Sequence, residues 1–237
     1  ILAIILMLSI VGCGTQTNIS ANSTNTTESN KTTTATTSDV DNIENIIKPE
    51  IYSARRKNIN PDTPGHDLLN IEDWSKISKQ LFIWNYTAFF GNFMVPHPNH
   101  ASIGKDIRYF VRMKAKGVFP QGDFYCNLGD FAALRSYVMG KMLWNPELDE
   151  RAVTMEFLQG YYGKAAPYLM EYLDYICERA VQTKTFVSCY KHLHSFDWFT
   201  PETSIKCYEL FAKAANAVKD NPLFAERVRR ERLSLDH

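Results

Sequence analysis

Cys13 closes an apolar run that begins at Ile1, and the residues Ile10-Val11-Gly12-Cys13 set a small side chain directly before a thiol. This is the pattern of a bacterial lipobox. Gly12 suits a cleavage site, and a lipid on the Cys13 thiol tethers the mature chain outside the cytoplasm, at a cell membrane or cell surface. A run of about a dozen apolar residues is too short to span a bilayer. It has neither an initiating Met nor a basic segment ahead of it, so the chain reads as clipped at its start. The other four cysteines, Cys126, Cys177, Cys189 and Cys207, lack Cys-x-x-Cys spacing and read as buried free thiols. An exported location also permits a bridge from Cys177 to Cys189 or Cys207. His192 and His194 form a His-x-His pair without a partnered carboxylate or thiol, so no metal site is expected there. His66 and His97 read as loop-shaping residues. No Gly-rich phosphate loop, nucleophile elbow or zinc-protease motif is present, and no cofactor is implied.

These residues must be positioned by a chain of clearly uneven composition. Residues 1–13 form the leader and lipobox, and residues 14–41 are rich in Thr, Asn and Ser. Such a tract cannot bury enough apolar surface to offset the entropy of ordering, so it is expected to be a disordered stalk. Its Asn-x-Ser/Thr triplets at Asn18, Asn22, Asn25 and Asn30 follow from that composition by chance. The 26 basic and 26 acidic residues give a formal net charge of +0, which excludes the electrostatic footprint of a nucleic-acid binder. Arg227, Arg229, Arg230 and Arg232, interleaved with Glu226 and Glu231, read as a solvated helix face.

Two short aromatic and apolar segments, 81–86 and 116–121, carry strand chemistry and are expected to be buried on both faces. Between them, Ile107, Phe110, Val111 and Lys114 recur at helical spacing over 104–114, which predicts a strand, helix, strand unit with parallel strands. After the second strand the pattern is helical. Helices are predicted over 130–143, 149–162, 165–182 and 200–219, with a last one opening at Asn221-Pro222. The fold class is therefore α/β: the C-terminal part of a TIM-like (β/α) barrel over 42–128, followed by a helical extension over 129–237. A complete barrel takes about 250 residues. Before Leu81 only Glu50-Ile51-Tyr52-Ser53 offers a further strand, so the front of the barrel is expected to be absent.

From about Trp74 to Leu235 the chain resembles a family of exported bacterial proteins defined by a domain of unknown function, DUF4838. The resemblance rests on Trp74-Ser75-Lys76-Ile77, Ile83-Trp84-Asn85-Tyr86-Thr87, Pro96-His97-Pro98-Asn99 and Lys116-Gly117-Val118-Phe119-Pro120-Gln121-Gly122. It continues through Leu134-Arg135-Ser136-Tyr137, Leu143-Trp144-Asn145-Pro146 and the stretch from Phe157 to Pro167. Proteins of this family look like glycoside hydrolases related to alpha-glucuronidases and hexosaminidases. The resemblance implies a TIM-like barrel with functional groups at the carboxyl ends of its strands. Those ends are Asn85, Tyr86 and Thr87, then Gln121, Gly122 and Asp123. Trp84, Asn85, Tyr86, Gln121, Asp123 and Tyr125 are thus the candidate substrate-binding residues, with aromatic rings to face sugars.

Departures from the family pattern fall at these same ends. Asn85 stands where relatives often carry Asp, Pro120 where many carry Glu, and Phe89 where Asn is common. Glycoside hydrolysis ordinarily uses two carboxyl groups. Asp123 is the one carboxylate left beside a strand end and the single catalytic candidate. Asp130 reads as a helix cap, Glu147, Asp149 and Glu150 sit around a helix start where the dipole favours acids, and Glu156 and Glu171 fall on helices. The expectation is an exported lipoprotein of glycoside-hydrolase-like type acting in polysaccharide or glycoconjugate breakdown, inactive as this partial chain. The alternative is a non-catalytic carbohydrate-binding surface lipoprotein.

Overall fold

The computed structural model describes residues 4–8, 65–126, 128–185, 187, 189, 190 and 196–236. Cys13, the tract 14–41, Glu50 to Ser53 and the pair His192 and His194 lie outside the described residues. The elements run β1 (Ile4–Leu8), α1 (Gly65–Ile77), β2 (Leu81–Tyr86), α2 (Ile103–Arg112), β3 (Gly117–Gln121), α3 (Ala132–Trp144), α4 (Glu150–Tyr162), α5 (Ala166–Gln182), α6 (Pro201–Ala217) and α7 (Pro222–Asp236). The fold is mixed α/β and helix-rich. No described helix is long and apolar enough to cross a membrane.

The sheet has the order β1-β2-β3 and both pairings are parallel, with Ile4 opposite Leu81 and Tyr86 opposite Gln121. Parallel neighbours require a crossover, which α2 supplies between β2 and β3. Pro120 has no N–H to donate to a ladder, which suits the edge position of β3. At Gly117 an added Cβ would stand 2.9 Å from the Phe82 ring, so a larger residue there would require that ring to shift. The Ile4–Leu8 segment belongs to the run read as a leader. In the structure this segment occupies the β2 edge of the sheet, with Leu8 opposite Asn85.

The expectation of strands buried on both faces is corrected. Leu81 and Ile83 are buried while Phe82 is 38% exposed and Phe119 is 56% exposed. The cause is that α1 and α2 pack on one side only, where Ile71, Tyr109 and Phe110 join Leu81 and Ile83 in a small core. The other face, carrying Phe82, Trp84, Tyr86, Phe119 and Gln121, keeps solvent contact along much of its length. Side chains alternate across a strand, so this one-sided packing divides the residues of β2 into two environments.

A larger core lies among α3 to α7, built on Phe131, Leu134, Tyr162, Leu169, Tyr172, Trp198 and Phe211. Ile103 and Ile107 of α2 join it, so α2 links the two cores. The predicted helix boundaries hold for local reasons. Asp149 accepts a hydrogen bond from Arg151 N, Gly163 (φ 58°) ends α4, and Thr200 accepts from Thr203 N ahead of Pro201. Cys177, Cys189 and Cys207 are buried and Cys126 half-buried, and none of the four forms a disulfide among the described residues. Burial pushes the Cys177 thiol up to about 11 and Cys207 up to about 12, so both stay protonated and unreactive.

Candidate functional site

β2 and β3 end level with one another, and Thr87 continues their pairing by donating to Gln121 O from both its N (2.9 Å) and its Oγ1 (3.1 Å). On the open face, Trp84 Nε1 donates to Gln121 Oε1 at 2.6 Å, and the Trp84 ring meets Phe119 edge-on at 5.1 Å. Tyr86 lies 6.3 Å from Trp84 and starts a row of rings leading away from the sheet. Phe90 is 4.9 Å from Tyr86, Phe93 is 5.1 Å from Phe90, and Phe124 is 5.6 Å from Phe93. Tyr125 packs on Phe124 at 4.0 Å with 83% of its surface exposed. Tyr190 closes on Tyr86 at 5.6 Å, and a hydrogen bond with Tyr86 together with burial pushes the Tyr190 hydroxyl up to about 12.

Trp84, Tyr86 and Gln121 are therefore brought together, and Tyr125 stands at the far end of the same row. Asn85 is not with them. Its side chain faces α2 and is buried beside Asn99, Ser102 and Asp106 around a void of about 20 Å³, room for about one water. Asn85 Oδ1 has no hydrogen-bond partner among the described residues. Burial pushes the Asp106 carboxyl up to about 7 against the opposing Ser102 hydrogen bond, so this corner stores a carboxyl that is partly neutral near neutral pH.

Past the strand ends, a cavity of about 160 Å³ is lined by Thr87, Phe93, Gly122, Asp123, Asp130 and Arg135, among others. Asp123 Oδ1 accepts from Cys126 N at 2.9 Å, while its buried Oδ2 has no partner among the described residues. Gly129 is glycine for a reason of space, since a Cβ there would collide with that Asp123 carboxylate.

Asp130 is not the helix cap expected from sequence. The cap of α3 is Phe131, held in the left-handed region at φ 43°, and it makes no side-chain capping bond. Asp130 is instead 2% exposed, and its Oδ2 accepts from Arg135 Nη2 at 2.6 Å and from His97 N at 3.0 Å. Arg135 also donates to Asp130 O, to His97 O (2.8 Å) and to Asn99 Oδ1 (3.0 Å), and it contacts His100 Nε2 at 3.1 Å. Burial pushes the Asp130 carboxyl up and the Arg135 guanidinium pulls it back. Burial and the same guanidinium hold His97 down to about 3 and His100 well below its usual range, so both imidazoles are neutral and His100 Nε2 serves as an acceptor.

A second buried acid supports this network. Glu231 on α7 reads in sequence as part of a solvated face, but its carboxylate turns inward. It accepts from Tyr162 Oη at 2.6 Å and from Phe131 N at 3.1 Å, and burial, with Asp130 nearby, pushes it up to about 7. Arg229 and Arg232 fit the solvated face, pairing with Glu226 and Asp236, whereas Arg227 stacks 3.9 Å over the Tyr161 ring. Glu156 and Glu171 pair with Lys141 and Lys206 on the surface, as expected of helix residues away from the site. Glu150 does more than face a helix dipole, since its Oε1 accepts from Gly104 N at 2.8 Å and ties α4 to α2.

The domain of unknown function DUF4838 matches residues 29–174, more than half of the chain. The chain belongs to the DUF4838 family. No curated protein and no solved structure gives a significant match. In this DUF4838 protein every residue lining the larger cavity falls within the matched stretch, whereas Glu231 falls after it. Sequence reasoning missed Asp130, Arg135 and His100. A signal was present: Arg135 falls between Leu134 and Val138 on the inward side of its helix, and a charge in that position needs a buried counter-charge. Among the described residues no group of three His, Cys, Asp or Glu side chains is arranged to hold a metal ion.

Proposed function

We propose that this chain is part of an exported lipoprotein of glycoside-hydrolase-like type, anchored through lipid on Cys13 and acting on polysaccharide or glycoconjugate. In this reading β2 and β3 are late strands of a TIM-like barrel, and residues 14–41 are the stalk that carries it off the membrane. What supports it most is the mouth at the carboxyl ends of the two parallel strands. There Trp84, Tyr86 and Gln121 share a face with a row of rings that ends at the exposed Tyr125, beside a cavity containing Asp123. Flat rings with amide and carboxylate groups between them suit sugars, whose C–H faces are apolar and whose rims are hydroxyl-rich.

The residues described carry binding, and hydrolysis belongs to the complete barrel. The alternative of a non-catalytic carbohydrate-binding lipoprotein draws on Asn85, which faces α2 and offers no acid to the open face. Affinity electrophoresis of the full chain through gels containing neutral or acidic polysaccharides tests the shared part of both readings. The expected result is retardation by at least one polysaccharide, weakened several-fold in Tyr125→Ala, a substitution at an exposed position that leaves the fold intact. Equal mobility in every gel would remove the saccharide reading.

A further inference from the structure

The two ends of the parallel sheet differ in charge. The rings and amides stand at the carboxyl ends of β2 and β3, whereas the chain enters the amino ends of these strands from the last turns of α1 and α2. The stretches 76–80 and 112–116 carry Lys76, Lys79, Arg112, Lys114 and Lys116, all exposed, and contain no Asp or Glu. They lie side by side: Ser75 Oγ donates to Met113 Sδ at 3.8 Å, and Lys116 N donates to Leu81 O at 2.7 Å. Lys76 and Arg112 sit in last turns, where a helix dipole favours cations, but Lys79, Lys114 and Lys116 lie beyond the helices and have no such role. The nearest acids in sequence are Glu72, hydrogen-bonded with Tyr109, and Asp73, paired with Lys76 at 3.0 Å. The whole chain carries a formal charge of +0, so the basic excess is local to this end. We propose that the amino end of the sheet is a docking surface for an anionic phospholipid membrane, and that the docked domain holds its ring-lined end away from the lipid.

Two aliphatic side chains single out a membrane among polyanions. Ile77, between Lys76 and Lys79, is 52% exposed, and Val111, beside Arg112, is 53% exposed. Lysine and arginine draw a surface to anionic headgroups, and apolar side chains set among them enter the boundary between headgroups and acyl chains. A soluble polyanion uses the cations alone and leaves both aliphatic groups in water. The geometry also sets the orientation. From Leu81 to Tyr86 the strand rises roughly 17 Å, so a membrane at the amino end leaves the mouth facing outward. The inference goes beyond the saccharide reading and takes from it only the tether, which brings the domain within reach of lipid. Stable attachment generally takes two signals, such as an acyl chain with a basic patch. The patch by itself gives reversible binding, so loss of the tether still releases the protein.

Cosedimentation of the full, unlipidated chain with vesicles tests the inference, using pure phosphatidylcholine and an equal mixture of phosphatidylcholine and phosphatidylglycerol. Apolar segments of the chain partition into both, so the ratio of the two affinities is the deciding readout. The expected ratio is at least about tenfold in favour of the anionic vesicles at physiological salt, falling toward one at about 1 M salt, where charges are screened. The combined variant Lys79→Gln, Lys114→Asn and Lys116→Gln should lose most of that ratio, since each basic residue at an anionic surface contributes about fivefold. Asn suits the left-handed backbone of Lys114, at φ 58°. Lys164→Gln, Lys213→Gln and Lys219→Gln together remove the same charge from exposed positions among the later helices and should keep the ratio. Ile77→Ser with Val111→Ser should weaken binding to the anionic vesicles several-fold. A ratio near one, or equal losses in the two lysine variants, overturns the docking surface. So does binding to soluble polygalacturonate as tight as to the anionic vesicles with no effect of the Ile77 and Val111 pair, which assigns the cations to a soluble polyanion. Retardation in neutral polysaccharide gels reports on the opposite end of the sheet, so the saccharide reading stands or falls separately.

Discussion

Replacing Arg135 with Met isolates the electrostatic lock behind the cavity. The Arg135 side chain is 5% exposed and that of Asp130 is 1% exposed, with 2.6 Å between Nη2 and Oδ2. Met preserves most of the apolar length but removes the counter-charge, leaving Asp130 with only the His97 N–H. Breaking a buried pair from one side typically costs about 3–5 kcal/mol, because the remaining charge is uncompensated. Loss of the bonds to His97 O and Asn99 Oδ1 acts in the same direction, since the Asn99 amide also holds Thr87 O at 3.0 Å. For a domain of this size a loss on that scale lowers Tm by roughly 10 °C. Urea unfolding at pH 7, followed by circular dichroism, should show the loss in Arg135→Met. The double variant with Asp130→Asn should recover about 2 kcal/mol of it, a coupling within the range for contacting residues. The deficit should also shrink at pH 5, where the unpaired carboxyl can protonate. A loss under about 1 kcal/mol, or strictly additive effects in the cycle, would refute the reasoning that this ion pair locks the cavity wall.

Glu231 makes stability depend on pH in a direction opposite to that of a surface carboxylate. Its folded pKa of about 7 lies above the ordinary 4.5, so the stabilisation by its protonated form is fully present below about 4.5 and is lost as pH rises through about 7. Urea unfolding at pH 5 and pH 8 should show a smaller difference between the two in Glu231→Gln than in the natural chain, and identical differences would exclude the assignment. Cys13→Ala should move the protein from the membrane fraction to the soluble exported fraction; unchanged membrane association would dispose of the lipid anchor.

The helices and strands were legible because their signals are local. Asp149 before α4, Gly163 after it and Thr200-Pro201 at the head of α6 act within a turn of their own positions, and the structure places helix ends there. The segments 81–86 and 116–121 paired in parallel as their spacing required. Which face of β2 meets solvent was not written in that pattern. An apolar, aromatic strand reads the same whether one layer of helices covers it or two, and here α1 and α2 both pack on the side of Leu81 and Ile83. That choice sent Asn85 toward α2 and left Trp84 and Tyr86 on the open face. Asp130 shows the same division. A polar residue just before a helix resembles a cap at the level of sequence, but its role came from Arg135 and from His97, 33 residues earlier in the chain. Glu231 reaches Tyr162 across 69 residues and Phe131 across 100. Propensity and capping act over one or two turns and can be read along the chain, whereas the partner of a buried charge depends on how distant segments pack, and only the tertiary structure decides that.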